Sequence, residues 1–272
     1  MGRTYFKDKV IIVTGASSGI GLASARLFGK LGAKVVMAAR SVDRMRELAS
    51  SVADDEHVLC VGCDVTDEKQ CENLVSETIA RFGHIDVLVN NAGLSMRAMF
   101  KDLDLKVLHR LMDVNFWGTV YCTKHALPYL LESKGTVVGI ISVAGYSALP
   151  ARTGYSASKY AIRGFLDTLR MEHMKDGLHV LVFAPGYTES NVRNAALTAD
   201  GTPQGKTPLD EDNLMSAESV ALRLALAIRL HRSKVVLTGL GKLTVFGHNV
   251  IPHITDLITY RYVSRETDSP FK

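Results

Sequence analysis

The chain has 272 residues, 47% of them hydrophobic and 22% charged, with 22 Gly against 7 Pro, so it can bury a core and is neither disordered nor collagen-like. Lys and Arg exceed Asp and Glu by four, 32 against 28, without a basic block, and no nucleic-acid partner is expected. No run approaches the roughly 18 apolar residues of a bilayer span, and four Cys with no charged-then-apolar leader point to reduced thiols in the cytoplasm.

Short runs rich in Val and Ile alternate along the chain with segments of helical period. Strands are predicted at Lys9–Thr14, Lys34–Ala39, His57–Gly62, Val87–Asn90, Thr136–Ile141, His179–Phe183 and Lys234–Leu237. Helices are predicted at Gly19–Leu31, Asp43–Ala53, Asp67–Phe82, Asp104–Leu131, Tyr155–Lys175 and Ser216–Arg229. Strands that are apolar throughout belong in a parallel sheet covered on both faces, so the expected fold is α/β, one doubly wound sheet of about seven strands. One domain over residues 1–272 is expected, with a substrate loop at about 187–215, rich in Gly, Pro and Thr, and a helical extension at about 241–272.

The first predicted strand runs into Thr14-Gly15-Ala16-Ser17-Ser18-Gly19-Ile20-Gly21 and then a helix. Glycine there lets backbone approach a pyrophosphate, and a helix N-terminus offers free N–H groups and a positive dipole end. Gly15, Ser17, Ser18, Gly19, Ile20 and Gly21 are therefore candidate cofactor residues. The second strand ends in Arg40-Ser41 with no carboxylate, which suits an adenosine 2′-phosphate better than a 2′-hydroxyl and favours NADP(H) over NAD(H). Asp64 and Val65, after the third strand, either meet the adenine or simply cap the next turn.

Further signals stand at the carboxyl ends of later strands, where open α/β sheets bind ligands. They are Asn90-Asn91-Ala92-Gly93, Asn115, Ser142, and the pair Tyr155 and Lys159. Four residues apart on a helix, Tyr155 and Lys159 share a face, and a nearby ammonium lowers a phenol pKa toward the range useful for proton transfer. Together these residues make the chain resemble the short-chain dehydrogenase/reductase family over about residues 6–240, the Ser142-to-Tyr155 spacing included. The resemblance implies a Rossmann fold, with Ser142 bonding the substrate oxygen, Tyr155 moving the proton, Lys159 holding the nicotinamide ribose and Asn115 supporting a water relay. It also implies cofactor contacts from Asn91, Ala92, Gly93, Pro185, Gly186 and Thr188, with Thr188 and Ser190 departing from the usual residue types, and a homodimer or homotetramer.

The expected reaction is NADP(H)-dependent interconversion of a ketone and a secondary alcohol, with an inactive NADP-sensing or partner-binding protein as the alternative. Candidate substrate contacts, besides Ser142, are Leu94, Met96, Val143, Leu149 and Tyr187, an apolar set that favours a steroid or 3-oxo lipid over a sugar. No metal is expected: Cys60 and Cys63 end a predicted strand and lack a second ligand pair. The segment Val250–Tyr262 reads as a Pro-started helix that could cover the pocket, meet a second subunit or lie on a membrane surface.

Overall fold

Apolar runs that cannot face water on either side become the seven strands of one parallel sheet. The computed structural model describes residues 4–188, 195–205, 214–265, 269 and 271. Its strands are β1 Val10–Thr14, β2 Lys34–Ala39, β3 Val58–Gly62, β4 Val87–Asn90, β5 Thr136–Ile140, β6 His179–Ala184 and β7 Lys234–Val236. They lie in the order β3-β2-β1-β4-β5-β6-β7. The chain therefore reverses its direction of travel between β1 and β4, and the crevice at their carboxyl ends is where such sheets bind ligands.

Side chains alternate along each strand, so each builds two cores at once. Ile11 and Val13 of β1 face a layer that includes Ala25 and Phe28 of α1 (Gly19–Lys30) and Val220, Leu224 and Ile228 of α7 (Ala217–Arg229). Val10 and Ile12 face the opposite layer. That layer contains α3 (Glu68–Phe82), α5 (Gly118–Glu132) and α6 (Thr153–Glu172), which contribute Leu74, Ala126 and Leu166. The small helix α2 (Val42–Ala49) adds Met45 to the first core.

Two elements differ from the sequence expectation. The helix predicted over Asp104–Leu131 is interrupted: α4 (Leu105–Leu111) passes through a π turn at Met112–Trp117 before α5 begins. Where the end of the chain suggested one helix there are two, α8 (Gly239–Val250) and α9 (Pro252–Ser264). Few of their side chains are buried, and Leu240, Leu243, Phe246, Ile254 and Ile258 are each more than half exposed. Among the described residues no helix is long and apolar enough to cross a membrane.

Candidate active site

β1 delivers the chain into its glycine turn with Gly15 at φ +65° and Gly19 at φ +52°, both in the left-handed region. A Cβ on Gly21 would stand 2.3 Å from the Gly15 carbonyl oxygen, so the turn closes only without one. Ser18 begins α1 without a side-chain cap, and no acidic residue occupies the first turn. The helix's first N–H groups and positive end are left for an anion.

The β4 end braces this turn. Thr14 Oγ1 accepts hydrogen bonds from Asn91 N and Ala92 N, both at 3.0 Å, and Asn91 Nδ2 donates to Thr14 O at 2.8 Å. Arg40 is exposed at the tip of β2, and Ser41 begins α2 without spending its hydroxyl on a cap. Asp64 serves its turn, with Oδ1 accepting from Thr66 N at 3.0 Å and Thr66 Oγ1 at 2.9 Å, and it also lines the cavity.

That cavity has a volume of about 950 Å³ and runs from the glycine turn to the start of α6. It brings together Gly15, Ser17, Ser18, Gly19, Ile20, Arg40, Ser41, Asp64 and Val65 with Asn91, Ala92 and Gly93. Ser142, Tyr155, Lys159, Pro185, Gly186 and Thr188 line it as well, with Lys159 Nζ 3.4 Å from where a Cβ on Gly93 would stand, and so do the apolar residues Leu94, Met96, Val143, Leu149 and Tyr187. Two predicted site residues sit behind the wall: Gly21, packed on the turn, and Asn115. Ser190 falls outside the described residues.

Asn115 explains the π turn. Fully buried, it accepts from Leu94 N at 2.7 Å and donates to Leu94 O at 2.9 Å and Ser158 Oγ at 2.8 Å. One amide thus joins the loop after β4 to the helix that carries Tyr155 and Lys159. An extra residue in the helical turn, common at functional sites, accommodates this inward reach.

Ser142 follows β5 and accepts at Oγ from Ala144 N at 3.2 Å. Tyr155 and Lys159 share a face of α6, with the Lys159 ammonium 5.8 Å from the Tyr155 ring centre. Here the structure departs from the simple sequence expectation of a lowered phenol pKa. Burial pushes Tyr155 up, and the opposing influences of Ser142 and Arg152 do not reverse it. Lys159 Nζ is occupied with Ile140 O at 3.0 Å, and burial lowers its own pKa to about 8.

A consequence for stability follows from that lysine. An unfolded lysine holds its proton up to a pKa of about 10.4, so the folded chain loses its proton first and stability rises with pH between the two values. The penalty is fully present below the folded value. Lys159→Met is expected to remove this rise, making the gain in unfolding free energy from about pH 7 to about pH 10 smaller by about 2–3 kcal/mol than in the unsubstituted chain. Urea unfolding of both proteins at the two pH values measures it; equal gains would count against a depressed Lys159.

The cavity wall also holds residues that the motifs did not single out: Arg97, Arg110, Asp113, Arg152 and, from the last two helices, Leu240 and Ile258. Arg152 is the one open to detection, three residues before Tyr155 at the start of the same helix.

The family model for short chain dehydrogenases matches residues 9–200. This chain belongs to the short-chain dehydrogenase/reductase family. Dehydrogenase/reductase SDR family member 7B of Rattus norvegicus is 34% identical over 261 residues, covering 93% of this chain and 80% of that protein. An 11-beta-hydroxysteroid dehydrogenase A of Sesamum indicum is 40% identical over 198 residues, 71% of this chain and 57% of that one. An alcohol dehydrogenase of the archaeon Thermococcus sibiricus, solved with 5-hydroxy-NADP, matches at a TM-score of 0.74 and 26% identity, over 85% of this chain and 96% of that one. As a short-chain dehydrogenase/reductase the chain is an oxidoreductase of the CH–OH/C=O type acting on small molecules. The glycine cradle, the uncapped start of α1 and the buried Lys159 fit the nicotinamide dinucleotides bound by its structural neighbours.

Proposed function

We propose that the chain interconverts a ketone and a secondary alcohol with NADP(H), using Tyr155 as the general acid and base, on a lipophilic substrate such as a steroid or 3-oxo lipid. The observation that carries this reading is the placement of Ser142, Tyr155 and Lys159 on one wall of the cavity whose other end is the glycine turn and Arg40. When bound, NADP(H) supplies or accepts the hydride at the carbonyl carbon.

The chain's own residues do the rest. Gly15 through Gly21 and the start of α1 receive the pyrophosphate, Arg40 and Ser41 the 2′-phosphate, and Asp64 and Val65 border the adenine. Asn91, Ala92, Gly93, Pro185, Gly186 and Thr188 frame the nicotinamide half, and Lys159 holds its ribose. Ser142 donates to the substrate oxygen while Tyr155 gives it a proton in reduction and takes one back in oxidation. Asn115 holds Leu94 and Ser158 in place and supports the proton relay. Leu94, Met96, Leu149 and Tyr187 offer the substrate an apolar wall, and the hydroxysteroid dehydrogenase among the relatives agrees with a lipophilic ligand. The substrate loop expected at about 187–215 and the extension from 241 belong to the same single domain, in a cytoplasmic homodimer or homotetramer built on the helical stretches Asp104–Leu131 and Tyr155–Lys175.

Nicotinamide absorbance, followed with a panel of ketones under NADPH and then NADH, tests the reading; the absence of turnover on every ketone and every secondary alcohol in the panel would count against it. The cofactor choice has its own test. Ala39→Asp combined with Arg40→Leu removes charge-assisted bonds to the 2′-phosphate and should weaken the preference for NADPH over NADH by about 10- to 100-fold. Unchanged NADPH affinity in that double variant would take Arg40 out of phosphate recognition.

A further inference from the structure

Arg152 immediately precedes α6, where Ala151 adopts φ +59° and accepts a hydrogen bond from Ala98 N at 3.0 Å. This fixes the segment against the loop that carries Met96, on the substrate side of the cavity. The wall around it is apolar: Met96, Leu111 and Leu197 form one buried cluster, and a Cβ on Gly154 would touch Leu111 and Met96. Within this wall Arg152 is only 8% exposed, lines the cavity, and has its Nη1 buried with no hydrogen-bond partner. Among the described residues no carboxylate pairs with it.

A guanidinium cannot give up its proton, so burial without a partner is costly unless a counter-charge arrives. The carboxylates that line the cavity among the described residues are Asp64, turned onto Thr66 at the adenosine end, and Asp113, which does not reach Arg152. The planar fork of arginine matches a carboxylate or a phosphate with two parallel hydrogen bonds. Arg152 is the N-cap residue of α6, and its charge acts on the phenol of Tyr155 in the first turn of that helix, so an anion held there lies near an oxygen at Tyr155.

We propose that Arg152 receives the anionic head of the substrate, so that the preferred ketone carries a carboxylate or phosphate a few bonds from its carbonyl and a lipophilic tail beyond it. This rests on the reductase reading and narrows its substrate class. Lys159 serves the cofactor ribose and Arg152 the substrate head, each cation with its own anion or polar partner.

The test compares γ-oxodecanoate with its methyl ester in the NADPH assay. The unsubstituted enzyme is expected to favour the acid in kcat/KM by about 10- to 100-fold, the worth of a charge-assisted bond, and Arg152→Met to erase that ratio while Arg152→Lys keeps part of it. Binding is read separately as the Tm of the NADP-saturated protein with decanoate, decyl phosphate or decanol. The two anions should raise Tm in the unsubstituted chain and not in Arg152→Met, the larger rise identifying the head group. Ester reduced as well as acid, or decanol matching the anions, would overturn the proposal while leaving the reductase reading intact. Anion-dependent stabilisation without turnover of either ketone would uphold the anion site, and would overturn the reductase reading where the whole panel of ketones and secondary alcohols is left unturned as well.

Discussion

Tyr155→Phe is expected to lower kcat by about 10²- to 10⁴-fold, the usual contribution of a positioned general acid, while NADP binding persists. The substitution removes one oxygen and keeps the ring, which packs beside the cluster of Met96, Val107 and Leu111. The glycine turn proposed to receive the pyrophosphate, at Gly15 and Ser18, is left unaltered by the substitution. Because burial pushes the phenol up, Tyr155 carries its proton at neutral pH and is already in the form reduction requires. Oxidation requires the phenolate, so alcohol turnover should rise toward alkaline pH while ketone turnover falls, and the Phe variant should lose both limbs. Steady-state rates across pH, with cofactor affinity from nicotinamide fluorescence, measure this. A Phe variant as active as the unsubstituted enzyme would remove Tyr155 from the chemistry.

Asn115→Leu is expected to cost about 2 kcal/mol or more of unfolding free energy, since each buried polar group stranded by a lost partner costs about 1–3 kcal/mol. Two groups would be stranded, Leu94 N and Leu94 O, while Ser158 Oγ keeps its bond to Tyr155 O at 2.8 Å. The π turn would lose its anchor as well, and turnover should fall with stability because Ser158 directly precedes Lys159. Urea unfolding followed by circular dichroism measures the change. A cost under about 1 kcal/mol would mean that the turn holds its shape without the amide.

The strands and their order of appearance were legible because parallel strands covered on both faces read as unbroken apolar runs, and no competing signal interrupts them. The site was legible for a related reason. Its residues cluster at strand ends, where Gly, Asn and Ser have no place in packing a core, and the cavity gathers nearly all of them. The π turn was not legible, because Leu105 to Glu132 has continuous helical period and only the tertiary reach of Asn115 breaks it. The helical extension is legible from about residue 241, but not the start of α8 at Gly239, because Gly239, Gly241 and Gly247 weaken helix propensity and the Thr238 cap, bonding Gly241 N at 3.0 Å, offsets this only in the fold. The rise in the Tyr155 pKa is not legible, because a spacing of four residues reports proximity to Lys159 but says nothing of desolvation, and the lowering expected from the sequence also draws on an oxidised nicotinamide. The sequence places Arg152 three residues before Tyr155, but only the fold shows that it is buried with no carboxylate partner among the described residues.

The last two helices have a property distinct from their part in the cavity wall. α8 buries only Gly241 and Gly247, and α9 only Thr255 and Val263, so little apolar surface ties this hairpin to the sheet. Opening such a segment forfeits few contacts, and its free energy of local unfolding falls well below that of β1 or β5. Amide exchange in α8 and α9 should therefore run ahead of the rest of the molecule. The border of the cavity that Leu240, Thr244, Ile258 and Tyr262 supply belongs to the part of the fold that parts company first, while the hydrogen-bonded strands beneath it stay shut to exchange.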